Sequence, residues 1–232
     1  MSPKQLLCAM TILAAGCSSI GEDRRVQTYP LDSLKDLKLI AMTGKVETFK
    51  GKTAVRIGNH TFDLGHLAVV NGAHLRNGTI DVDIASQPNP GAPIGVDGFA
   101  GVFFRAVNDE NVFGGFSSYE YFYLRATDGR AKDKETAGHV VQYASFPKFP
   151  WFWLRQQWPG KYEAHANGVD VAVWTHMKIQ IHERQAKFFV GDMKEPCLVV
   201  NDLKQEPTDG PVGFWVGTDS EAWFANLVIT PE

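Results

Sequence analysis

Four side chains in the middle of the chain have the types and the spacing to hold a ligand. In GVFFRAV, Phe103 and Arg105 fall on one side of a strand, because successive side chains alternate across it. In YEYFYLR, Tyr119, Tyr121, Tyr123 and Arg125 share one side, while Phe122 and Leu124 take the other. Paired through the polar turn between them, these strands give a sheet with one greasy face and one face of phenol rings and guanidinium groups. Flat rings with hydroxyls, flanked by planar donors, stack on the C–H faces of sugars and hydrogen-bond their hydroxyls. The ligand-binding set read from this spacing is Arg105, Tyr121, Tyr123 and Arg125.

A second set lies downstream. Phe146, Phe149, Trp151, Phe152, Trp153 and Trp158 crowd thirteen residues, stiffened by Pro147, Pro150 and Pro159. Leaving so many rings wet is unfavourable by roughly 25 cal/mol per Å² of apolar surface. Part of this stretch, read as a loop, is therefore expected to fold back over a sheet edge. The remainder, with Arg155, walls the cleft, with one of Trp151 and Trp153 touching the ligand and the other in the core. Acid–base candidates are poorer. Asp81 and Asp83 share a face of TIDVDIAS and read as a solvated strand face. Alternation puts Glu120 with Phe122, away from the tyrosines, unless a bulge re-aims it. The seven histidines make no HExxH and no spacing with metal-ligand logic. Phosphate-cradling loops, CxxC pairs and GxSxG elbows do not occur.

The elements that must carry these residues are strands. From LKLIAM through KVETFKG, TAVRIG, GHLAVVNG and TIDVDIAS, strand patterns recur with turn residues between them. Ile80, Val82 and Ile84 point inward, as do Met177, Ile179 and Ile181. Asn71-Gly72 and Asn77-Gly78 favour tight reversals, since both residue types tolerate positive φ. LDSLKDL has the pattern for one short helical turn. QPNPGAPIGVDG and TDGRAKDKETAGH read as loops. HVVQYAS, AVWTHMKIQIHER, AKFFVGD, PCLVVN, PVGFWVGT and AWFANLVIT complete about a dozen strands with no long helical period. That count predicts an all-β sandwich in one piece over 31–232.

Composition bounds the rest. Across 232 residues, 44% hydrophobic and 12% aromatic content is ample for a core, and a net charge of −3 argues against a nucleic-acid partner. MSPKQLLCAMTILAAGC has one early cation, Lys4, and an apolar run too short to span a bilayer. Its ending, Leu13 to Cys17, resembles a bacterial lipobox, although Ala14 stands where Leu is usual. Residues 1–16 are thus expected to be a signal peptide, Cys17 the lipidated residue and 17–30 a tether. Ser18, rather than Asp, fits an outer-membrane destination. Cys197 is then left without a disulfide partner and reads as a small buried hydrophobe.

The runs DGFAGVFFRAVNDEN, YEYFYLRATDG, VQYASFPKF, WTHMKIQIHERQAKFFVGD and PVGFWVGTDSEAWFANLVI resemble the concanavalin A-like lectin/glucanase superfamily over about residues 38–230. The likeness is nearest to bacterial laminin G-like and 3-keto-disaccharide hydrolase-type domains. It implies a jelly roll of two antiparallel sheets with an oligosaccharide or glycoside on the concave face. It adds Tyr143, from the QY pair, to the ligand-binding residues. It also allows a glycoside hydrolase or lyase, or a protein-interaction module, in the same fold. Family-16 glucanases place two Glu around an Asp on one strand, and TIDVDIAS lacks those Glu residues. A structural Ca²⁺ is frequent in the superfamily, with Asp192, Asp202 and Asp219 as candidate ligands. No cofactor is required.

Overall fold

A computed structural model describes residues 25–59, 66–112 and 114–232. The expected signal peptide and Cys17 lie outside the described residues. The strands are β1 (Gln27–Tyr29), β2 (Leu37–Ile40), β3 (Thr43–Phe49), β4 (Lys52–Asn59), β5 (Leu67–Leu75), β6 (Gly78–Pro88), β7 (Phe99–Asn108) and β8 (Phe116–Arg125). After a short helix α1 (Lys134–Ala137) come β9 (Val141–Phe146), helix α2 (Trp151–Gln157), β10 (Glu163–Ala164), β11 (Thr175–His182), β12 (Gln185–Val190), β13 (Leu198–Val200), β14 (Gly210–Val216) and β15 (Ser220–Pro231).

They form two antiparallel sheets, as the strand pattern predicts. Sheet A runs β13-β12-β11-β6-β15-β4-β3, with β1 also paired to β15, and sheet B runs β10-β9-β8-β7-β14-β5-β2. The inward set Ile80, Val82, Ile84, Met177, Ile179 and Ile181 is fully buried between the sheets. Across that gap Phe214 stacks on Phe224 at 4.1 Å and Phe122 meets Phe188 at 5.1 Å. The chain folds as a jelly-roll sandwich.

Several local expectations change. Within the expected tether 17–30, Gln27, Thr28 and Tyr29 pair with Ile229, Val228 and Leu227 as strand β1. LDSLKDL forms turns rather than a helical turn. Asn77-Gly78 does reverse the chain, carrying it from sheet B to sheet A. Asn71-Gly72 instead lies inside β5, where the register against β14 shifts between Pro211 and Gly213. Gly72, at φ 76°, absorbs that irregularity. The aromatic stretch contains α2, which begins directly after Pro150, a residue suited to a helix start.

Candidate functional site

Period-two geometry on β8 holds. Tyr119, Tyr121, Tyr123 and Arg125 lie on the outer face of sheet B, with Phe122 on the side facing sheet A. The rings form a ladder. Tyr121 and Tyr123 stack at 5.7 Å, and both lean on Trp215 from β14, at 5.0 and 4.8 Å. Tyr119 stacks on Phe146 at 4.9 Å. Yet Tyr121 is only 8% and Tyr123 only 1% exposed. They are a packed wall rather than an open stacking platform, and burial pushes the Tyr123 phenol up to about 12.

Arg105 departs from its predicted face. β7 pairs Phe104 with Glu120 and next Val107 with Ser118, so β7 carries one extra residue, and Arg105 adopts φ 52°. This bulge turns the guanidinium away from the tyrosines. A Cβ on Gly210 would stand 2.5 Å from the Ala106 carbonyl, so β14 closes on the bulge only with glycine there. Arg105 is fully buried; Nε donates to the Arg76 carbonyl at 2.8 Å and Nη2 to Asn77 Oδ1 at 3.0 Å. Its charge faces Glu120, the acid that alternation had placed on the inner side. Tyr143 is on that inner side too, so neither it nor Arg105 belongs to the outer-face set. The Tyr143 hydroxyl donates to Glu120 and accepts from Lys204 N at 2.8 Å, and Gln205 N donates to Glu120 Oε1 at 2.7 Å. Burial outweighs these bonds and raises the Glu120 carboxyl to about 7.

At the other end of β8, buried polar groups gather beneath the part-exposed Trp151. The pairing of Phe99 with Arg125 brings Asp97 beside Arg125, 3.4 Å from Nη1. Thr127 Oγ1 donates to the other Asp97 oxygen at 2.9 Å. Arg125 Nη2 donates to the Tyr123 hydroxyl at 3.1 Å and to Gln142 Oε1 at 3.5 Å, and Nε is buried with no partner. From α2, Arg155 Nε donates to Glu163 Oε2 at 2.8 Å, and Nη2 reaches the same Gln142 oxygen at 3.4 Å. Trp151, 38% exposed, places its ring centroid 4.9 Å from the Arg125 guanidinium and 4.8 Å from that of Arg155. His139 Nε2 lies 3.5 Å from Glu163, and burial lowers this imidazole below its usual range.

Asp128 joins this cluster from the turn after β8. It is 6% exposed, and its carboxylate makes no hydrogen bond among the described residues. Burial and the neighbouring Asp97 raise it to about 6, against the pull of Arg125 and Arg155. Of the predicted residues, Tyr123, Arg125, Trp151 and Arg155 come together here, and Tyr121 backs them. Trp153 does not join, because it packs edge-on to Phe149 and Trp158 against the core. Asp97, Asp128, His139 and Glu163 were not foreseen as site residues, and of the QY pair it is Gln142, not the favoured Tyr143, that lies with Arg125 and Arg155. The Asp-Gly pairs at 97–98 and 128–129, bracketing the paired strands, are the signal that identifies two of them.

The remaining acids are engaged elsewhere. Asp83 accepts from Lys52 Nζ at 2.6 Å, from Asn226 at 2.8 Å and from His176 at 3.0 Å; His176 foremost holds its carboxyl well below the usual range. Asp202 is bonded by Lys161, Tyr162 and Lys204, and no three His, Cys, Asp or Glu side chains converge among the described residues. Asp192, Asp202 and Asp219 do not converge as a set of three. The Cys197 thiol, half-buried, is raised by burial to about 11, as suits an inert side chain.

No family model matches the chain, and no curated protein matches it in sequence. Its backbone is similar to solved structures. A Bacillus subtilis protein of unknown function with a galectin-like fold gives TM-score 0.56 at 16% identity, covering 88% of this chain and 94% of that one. The Bacillus licheniformis β-glucanase gives 0.54 at 11%, covering 91% and 100%. The exoplasmic/lumenal domain of VIP36, solved bound to Ca²⁺ and Man3GlcNAc, gives 0.52 at 8%, covering 91% and 90%. At such identities the likeness speaks for architecture: the chain has the galectin-like, concanavalin A-like sandwich fold.

Proposed function

We propose that this chain binds a saccharide at the Arg125–Trp151–Arg155 cluster, and that Cys17 carries a lipid anchoring it in a bacterial envelope, at the outer membrane. The observation that carries the binding reading is the setting of Trp151. A partly exposed indole is held by two guanidinium groups beside Gln142, Asp97 and Asp128, with Arg125 Nε unpartnered. The indole supplies a C–H stacking surface, and the groups around it supply fixed donors and acceptors for hydroxyls. The fold shared with a β-glucanase and with a domain solved on Man3GlcNAc supports the same reading. The finer likeness to laminin G-like and 3-keto-disaccharide hydrolase-type domains belongs to this proposal as well. The test is a glycan array with wild type and Trp151→Ala. A hit that disappears in a variant with an unchanged melting temperature supports the site. A hit untouched by the substitution removes it. An array without hits would shift attention to a protein partner for the exposed Trp151, Phe152 and Trp158.

A second reading rests on Asp128. A buried carboxyl raised to about 6 next to another acid is suited to donating a proton to a leaving oxygen. In that case the wild type releases new reducing ends from the bound glycan, and Asp128→Asn binds the glycan without cleaving it.

A further inference from the structure

The outer face of sheet A, opposite the candidate site, carries a second feature with its own chemistry. Two hollows of about 390 and 480 Å³ adjoin there and share Gln180 and Lys187. Register places these residues side by side, Gln180 on β11 opposite Lys187 on β12, with Lys178 opposite Phe189 in the adjacent row. Lys178, Lys187 and Lys194 make no ion pair or hydrogen bond among the described residues. This sets them apart from Lys45, Lys52, Lys161 and Lys204, each of which holds a carboxylate. The acids along the two hollows are Glu195 and Glu232, with Glu232 taken by His182 at 2.8 Å; Asp81, opposite Lys178 on β6, is taken by His176 at 3.3 Å. The trough therefore has an excess of unneutralised ammonium groups, in a chain whose overall charge is −3. Apolar side chains stand among them: Met193 is 36% and Val199 38% exposed, and Phe189 is partly buried.

The place where the chain enters the fold gives this face a partner. Gln27 pairs with Ile229, so the polypeptide arrives beside the end of β15 that lends Thr230 and Pro231 to the trough. Residues 18–26 alone separate Cys17 from that point. At about 3.3–3.6 Å per residue the stretch from Cys17 to Gln27 spans at most roughly 36 Å. A lipid on Cys17 thus keeps this end of sheet A within one tether length of the bilayer.

We infer that the outer face of sheet A docks on the anionic headgroups of the membrane that holds the anchor. Lys178, Lys187 and Lys194 meet the phosphates, and Phe189, Met193 and Val199 reach the interface. The inference rests on the lipidated Cys17 of the proposed function. Its consequence is orientation: the sheet B site points away from the bilayer, toward what lies beyond it. Basic side chains near an anionic leaflet strengthen attachment by roughly fivefold each, and salt screens the effect.

The test uses the full chain, made with its leader in a bacterial host and purified in detergent. The mass of the N-terminal peptide reports whether Cys17 is acylated, so a failed anchor shows there, separately from the face. The protein is reconstituted in phosphatidylcholine vesicles with or without phosphatidylglycerol, and lysine acetylation is followed by mass spectrometry. With phosphatidylglycerol, Lys178, Lys187 and Lys194 are expected to label at least roughly fivefold more slowly, recovering in high salt, while Lys132 and Lys148 are unaffected. If acylation is missing, flotation of the same chain with the two vesicle types reads the face directly, against Lys178→Glu/Lys187→Glu/Lys194→Glu. Equal labelling, or equal flotation, in the two lipids overturns the inference. Protection by soluble alginate, without protection by vesicles, would overturn it in favour of an acidic glycan.

Discussion

Arg105 and Arg125 come from similar strands, sit on neighbouring elements and are both buried, but they do opposite things. Arg125 keeps the face that alternation gives it and ends among Asp97, Asp128, Gln142 and Trp151, at a rim where Trp151 meets solvent. Arg105 is turned by one extra residue into a buried cluster with Asn77, Arg76 and Glu120, where its Nη1 also lacks a partner. Both clusters hold a carboxyl displaced upward by burial, Glu120 to about 7 and Asp128 to about 6. The Glu120 oxygens are occupied by Tyr143 and Gln205, whereas the Asp128 carboxylate has no hydrogen-bond partner among the described residues. A displaced carboxyl is thus no mark of a ligand site until its free valences are counted; that count separates a structural acid from an available one.

The largest effect that sharpens this contrast should come from the Arg105 side. Arg105→Ala takes from Glu120 a cation that faces it, leaves the Arg76 carbonyl without its donor and Asn77 Oδ1 with Glu183 N alone, and about 3 kcal/mol of stability should go, read by urea denaturation. If the loss is below about 1 kcal/mol, the cluster is less closed than its geometry implies. On the open side, Trp151→Ala should weaken glycan binding by about 2 kcal/mol, roughly thirtyfold, with little change in melting temperature. An equal loss of stability in both variants would erase the distinction.

Acid–base behaviour provides smaller tests. The folded Glu120 pKa lies above its unfolded value, so its contribution is fully present below about 4.5 and is lost as pH rises through about 7. Glu120→Gln should flatten the stability–pH profile between those limits by a few kcal/mol at most, measured from denaturation midpoints. His176 shifts the same way, bonded first to Asp81 and also to Asp83, which raise it to about 9. Its contribution is complete below about 6.5 and lost as pH rises through about 9. Because the ring is 44% exposed, His176→Ala should cost under about 1 kcal/mol at neutral pH.

Much of the scaffold was legible because its signal repeats. Ile80, Val82 and Ile84 alternate with Asp81 and Asp83, and one face of that pattern has to be buried. The tyrosine ladder and Arg125 were visible for the same reason. The bulge was not: a residue with φ above zero is usually Gly or Asn, and here it is Arg105. Helix α2 was hidden in a run of rings and prolines, where Pro150 marked a helix start rather than a loop. The rest of the cluster comes from segments distant in sequence. Asp97 and Asp128 meet through the β7–β8 register, and Gln142 and Glu163 through the pairing of β9 with β10. Neither pairing is a local property of the residues it joins.

The central claim is that the Arg125 end of sheet B, and not the Arg105 end, holds the ligand. Calorimetric titration of the array-selected glycan into wild type and Arg125→Lys, with melting curves alongside, tests it most directly. The substitution keeps a cation but removes the planar fork that joins Asp97, Tyr123 and Gln142. The account predicts at least tenfold weaker binding by a folded protein, about 1.4 kcal/mol. Unchanged affinity in a folded Arg125→Lys protein would contradict it.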